Sequence, residues 1–185
     1  MRFVIVILWM LICNLNLNAY SYAAAGKEPT IDAREEILKA INSGDYGGIK
    51  EIFIKNEQTY RYLNNSFNSS LYEGLKGSIE AKKEKEILRW LNISLACEIQ
   101  RRLEGALENI KDFNIAKVMM AKTDRYYKIL SANLSNEYNK ILKEAIKKCS
   151  DSIGSPGLFG AGAKEANIEE YKKNQKIIVD ILKTL

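Results

Sequence analysis

Residues 30–155 contain no proline, although this stretch makes up most of the 185-residue chain; the only prolines are Pro29 and Pro156. Glycines gather at Gly44/Gly47/Gly48, at Gly74/Gly77 and at Gly154/Gly157/Gly160/Gly162, with Gly105 alone in the long interval before the third group. Punctuation of this kind marks helix ends rather than strand turns. No alternating apolar/polar run with hairpin signals occurs anywhere. The fold class expected is therefore all-α, as an up-down bundle of about four main helices with an N-terminal helical hairpin, following a cleaved leader.

The leader is read from residues 1–25. Arg2 precedes an unbroken apolar run from Phe3 to Cys13, and small residues follow at Ala19, Ser21 and Ala23–Ala25. A basic start, a short apolar core and small residues at the −3 and −1 positions describe a cleavable signal peptide. Cleavage after Ala23 or after Ala25 fits. A membrane anchor would need about 20 mostly apolar residues, and asparagines interrupt this run too early. A lipid-modified cysteine normally follows a small residue, and Ile12 before Cys13 is not small. The expected location is periplasmic or secreted, with no membrane span in the mature chain. The abundance of Asn, Ile and Lys suggests an AT-rich genome, and a bacterial periplasm is the compartment expected by default. In a eukaryotic secreted protein the N-x-S sequons at Asn64, Asn68, Asn92 and Asn133 would matter.

Apolar spacing at three and four residues then places the helices. The first is expected from Thr30, as N-cap, to Ser43, with Gly44 just past its end. Asp45 caps a second that continues towards Leu63. Residues 64–70 read as a loop, and Leu71–Lys76 as a weak helical turn. Ser78 opens one helix of roughly 30 residues, about 45 Å long, with a stripe through Ile87, Leu91, Leu95, Ile99 and Leu103. Asp112 and Ser135 cap two further helices. Asn167, with Glu170 at capping-box spacing, starts the last. This organises the chain as leader 1–25, hairpin and loop 26–77, and bundle 78–185, the last two forming one domain. Glu80, Glu84 and Glu98 fall on helices, and Glu98 with Arg101 and Arg102 reads as surface ion-pair decoration.

Histidine is absent. That removes Ser-His-Asp and Cys-His nucleophile systems and most zinc and di-iron sites. The residues imply no catalytic group, no cofactor and no metal. Once Cys13 leaves with the signal, Cys97 and Cys149 remain, a pair that could form a disulfide in an oxidising compartment. Helix rises put the two roughly 10 Å apart along the axis, beyond the reach of about 7 Å between Cα atoms. Buried free thiols are the alternative.

Two features suggest an interaction surface. The formal net charge is +5, yet within 111–148 nine basic residues face four acids. Lys140, Lys143, Lys147 and Lys148 form the candidate basic face on one helix. The glycine-rich segment 154–163 carries Leu158 and Phe159 and lacks the Lys-Ser/Thr of a phosphate-binding P-loop. The function expected is an exported, non-catalytic accessory or interaction module of the cell envelope, whose partner is another envelope protein or an anionic surface, not nucleic acid. The alternative is a periplasmic carrier holding a small hydrophobic ligand between helices, lined by tyrosines with Met119 and Met120.

Overall fold

The computed structural model describes residues 28–157 and 162–185. The expected signal peptide and the loop residues Leu158 and Phe159 lie outside them. Among the described residues the protein is all-helical: α1 (Pro29–Asn42), α2 (Tyr46–Lys55), α3 (Glu57–Ser66), α4 (Leu71–Glu80), α5 (Glu84–Glu108), α6 (Phe113–Ser131), α7 (Asn136–Ser152) and α8 (Ile168–Leu182). None of these helices is long and apolar enough to cross a membrane.

The expected helix starts hold at four places. Asp45 accepts from the Gly48 amide, Asp112 from Asn114 and Ile115, Ser135 from Tyr138, and Asn167 from Glu170. Each satisfies amides that a helix start leaves unpaired. The first helix starts earlier than expected. Pro29 occupies its first turn and the Glu28 carbonyl accepts from Ile31 and Asp32, so Thr30 lies inside the helix rather than capping it.

The long helix expected from Ser78 is two helices. Lys82 takes a left-handed conformation (φ 54°), and the Lys83 and Lys82 amides donate back to the Ser78 and Ile79 carbonyls. This is the hydrogen-bond pattern that closes a helix, with lysine where glycine is usual. Ser78 therefore sits in α4, and the weak turn expected at Leu71–Lys76 is part of a ten-residue helix. Left-handed backbone costs an L-residue about 1–2 kcal/mol, of which glycine's extra chain entropy takes back about 0.5–1 kcal/mol. Lys82→Gly should therefore stabilise the protein by about 0.5–1 kcal/mol, read as a raised melting temperature. A lowered one would mean that the Lys82 ammonium, 5.5 Å from the Tyr46 ring centre, outweighs the strain. A second break, at Asn56, divides the expected second helix into α2 and α3.

α5 is the spine. Every residue from Ile93 to Gln100 is buried, so this part of the helix is enclosed on all sides rather than along one stripe. Its N-terminal half contributes Ile87 and Leu91 to a cluster with Ile37, Ile49, Phe53, Tyr60, Leu75 and Ile79 from α1–α4. Its C-terminal half contributes Leu95, Ile99, Leu103 and Ala106 to a larger core with α6, α7 and α8. α6 lies along α5, α8 lies along α7, and contacts also join α5 to α8 and α6 to α7. Apolar spacing predicts Ile115, Val118, Met119, Tyr126, Ile129 and Leu130 as the inner face of α6. Tyr126 and Leu130 are buried, together with Ala116, Met120, Thr123 and Tyr127, whereas Val118 is 44% exposed and Ile115, Met119 and Ile129 are half-buried. Packing against α5 selects the face.

Candidate functional site

α7 is built as an amphipathic helix. Leu142, Ala145, Ile146 and Cys149 recur at three- and four-residue spacing and are buried against the core, which leaves Lys140, Lys143, Lys147 and Lys148 exposed on the outer side. Lys140, Lys143 and Lys147 share one helix face by spacing. Two of the four lysines are paired along the helix: Lys148 with Glu144 at 2.9 Å, and Lys147 with Asp151 at 2.5 Å. Both pairs are solvated and contribute little to stability.

The connection from α7 to α8 is closed at its base. Ser155 and Lys164 exchange both backbone hydrogen bonds, each 2.9 Å, and the Asn167 amide donates to the Ser152 carbonyl at 2.8 Å. Gly154 makes this closure possible. Its φ is +80°, and a Cβ there would lie 2.5 Å from the Lys164 carbonyl oxygen. The loop that carries Leu158 and Phe159 thus leaves from the C-terminal end of the helix that carries the lysines.

A buried polar constellation was not expected from the sequence. Glu28 and Glu98, each 1% exposed, lie between α1, α5 and α6. The Glu28 carboxylate accepts from Arg102 Nη2 at 3.0 Å and Tyr126 Oη at 2.7 Å on one oxygen, and pairs with Lys122 Nζ at 2.9 Å on the other. Glu98 accepts from Thr30 Oγ1 at 2.9 Å and pairs with Arg101 and Arg102 at 3.4 and 3.5 Å. The reading of Glu98 as surface decoration is corrected here. Its helical neighbours are indeed Arg101 and Arg102, but α1 covers it; Thr30 reaches it from 68 residues away, and Glu28 reaches Arg102 from 74. One signal in the sequence could have revealed this. Glu98 interrupts a stretch of α5 too apolar on every face to offer a solvated side.

Burial drives the Glu28 carboxyl towards a higher pKa. The hydrogen bonds from Lys122 and Tyr126, with the charges of Arg102 and Lys122, outweigh that effect and hold it below the usual carboxylate value. Burial, then the charge of Glu98, raises the Tyr126 phenol, so it stays a donor. All four carboxylate oxygens are engaged and both glutamates are closed to solvent. The arrangement is therefore chemically an ionic cross-link and leaves no free base to take up a proton from a substrate.

Cys97 and Cys149 are free, buried thiols. Cys97 packs with Leu63, Leu71 and Ile93, whereas Cys149 belongs to the larger core and donates to the Tyr171 carbonyl at 3.6 Å. Burial pushes both thiols up to about 12, so neither is a nucleophile at neutral pH. Tyr127 and Tyr171, two of the tyrosines expected to line a ligand groove, bond within the protein. Tyr171 donates to the Leu103 carbonyl at 2.9 Å and Tyr127 to that of Asn139 at 3.0 Å. Among the described residues no group of His, Cys, Asp and Glu is arranged to hold a metal ion.

The fold and these sites describe an all-α protein with a basic outer helix, a clamped glycine-rich loop and an internal ionic cross-link. Comparison with protein-family models, with curated proteins and with solved structures gives no match to this chain.

Proposed function

We propose that this protein is exported by way of a cleaved leader over residues 1–25 and acts, without catalysis, as an interaction module of the cell envelope. In this reading α5–α8 form the up-down bundle. The ring of contacts among those four helices and the short connections of α5 to α6 and α6 to α7 support that arrangement. Lys140, Lys143, Lys147 and Lys148, together with Leu158 and Phe159, make the contact surface. The observation that carries the proposal is the linkage through α7. One helix presents the exposed lysines and also anchors, through Ser152–Ser155, a loop whose two ends are hydrogen-bonded to each other. Charge steers an anionic partner to the helix, and apolar loop residues add contact area.

The test is a quadruple charge reversal, Lys140→Glu, Lys143→Glu, Lys147→Glu and Lys148→Glu, and separately a deletion of residues 158–161. In-cell cross-linking in the native host is expected to capture the partner with the unaltered chain. Capture should fall about tenfold or more in the charge-reversed variant. Unchanged capture by both variants would place the contact surface elsewhere. The mass of the recovered chain tests export directly, because loss of residues 1–23 or 1–25 is expected and an uncut chain contradicts it.

A further inference from the structure

A second surface lies around Arg101, away from α7. The internal cross-link brings three cations, Arg101, Arg102 and Lys122, into contact with two carboxylates, Glu28 and Glu98. Two of those cations are enclosed, their side chains 10% and 11% exposed, whereas the Arg101 side chain is 36% exposed. The surplus positive charge therefore reaches solvent at one side chain, held there by a buried carboxylate. That carboxylate engages a single terminal nitrogen, Nη1. The rest of the guanidinium fork stays open to a partner's acid.

The surroundings of Arg101 are aromatic and apolar. Its guanidinium lies 5.1 Å from the centre of the Tyr62 ring, and Tyr62 is 48% exposed. Tyr62 meets the edge of Phe67 at 6.2 Å. Phe67 and Trp90 lie half-buried over the small cluster of Leu63, Leu71, Ile93 and Cys97. Trp90 is set firmly, with its indole against Gly74 where even a Cβ would lie only 2.2 Å from the ring. A path thus runs from a held arginine across an exposed tyrosine to Phe67, which shares its apolar floor with the half-buried Trp90. Arginine, tyrosine and tryptophan are the residues that dominate binding energy at protein interfaces.

We infer that Arg101, Tyr62, Phe67 and Trp90 form a docking surface for an acidic segment of a partner protein, one that sets a carboxylate on Arg101 and apolar side chains on the rings. Charge complementarity selects the acid. The apolar floor selects a protein segment over a bare polyanion, which would engage charge alone. This surface is independent of the one proposed on α7.

The probe is a blocked hexapeptide containing two glutamates and two leucines, titrated into the isotope-labelled exported chain and followed by NMR. Resonances of Tyr62, Phe67, Arg101 and the Trp90 indole are expected to shift. Arg101→Ala should weaken binding about tenfold or more, and Tyr62→Ala should do the same. The lysine counterpart of the peptide should shift none of these signals, and the quadruple reversal on α7 should leave the titration unchanged. Glu98 keeps Thr30 and Arg102 in Arg101→Ala, so the fold is retained and circular dichroism will show it. Three results would overturn the assignment: no shift at these residues, undiminished binding by Arg101→Ala, or equal shifts with inorganic phosphate or polyglutamate. The last would mark a simple anion site.

Discussion

Glu28→Ala is expected to lower the free energy of unfolding by about 3–5 kcal/mol, the usual cost of removing one partner from a buried ion pair. The deleted carboxylate has three donors, Arg102, Lys122 and Tyr126. Arg102 would keep only Glu98, and Lys122 would be left almost enclosed with no carboxylate against it. Glu28→Gln keeps the volume and tests charge separately. The pH dependence has a definite sign. The folded carboxyl lies below 4.5 and the unfolded one near it, so between those values the unfolded chain binds more protons and stability falls as pH drops. Above about 4.5 the contribution is complete. Urea unfolding from neutral pH down through that window should show a flatter acid limb for Glu28→Gln than for the unaltered chain. A loss under about 1 kcal/mol for Glu28→Ala would mean that the cluster does not hold α1 in place.

Gly154→Ala is expected to cost about 1–4 kcal/mol, from two separate causes less about 0.5–1 kcal/mol of chain entropy that alanine spares. A left-handed backbone costs alanine about 1–2 kcal/mol, and opening the loop base loses two hydrogen bonds worth about 0.5–1.5 kcal/mol each. The opening is forced because the new Cβ meets a backbone carbonyl rather than a flexible side chain. Amide exchange at Ser155 and Lys164 should lose its protection well before the core does. If those amides stay protected, the loop has absorbed the methyl by a local shift. Cross-linking of the same variant then connects base to function: under the proposal for α7, an opened base should weaken partner capture even with every lysine in place.

Helix class, and most helix starts, were legible because they depend on local chemistry. Asp45, Asp112, Ser135 and Asn167 each bond an amide two or three residues ahead, and that geometry is set wherever the helix lies. The break at Lys82 was not legible, because lysine carries no turn signal; its left-handed backbone is tolerated in the folded chain. The inner face of α6 was legible only in part, at Tyr126 and Leu130 but not at Val118, for a related reason. Apolar residues occupy more than one side of that helix, and only contact with α5 decides which are covered.

The basic face of α7 was readable from spacing, since lysines opposite a regular apolar stripe must face water. The ionic cross-link was not. Glu98 with Arg101 and Arg102 has the spacing of an ordinary surface pairing, and nothing near Glu28 announces a buried residue. What the sequence by itself determined is the all-helical class, four of the helix caps and the lysine-bearing outer face, each resting on neighbours within about a turn or two. The tertiary structure alone decided that α1 covers Glu98, that Glu28 reaches Arg102 and Tyr126, and that the surplus charge emerges at Arg101. The apolar surroundings of Glu98 on α5 hint at its burial, but ion pairing across 68 to 98 residues depends on how helices stack, and no local pattern names the partners.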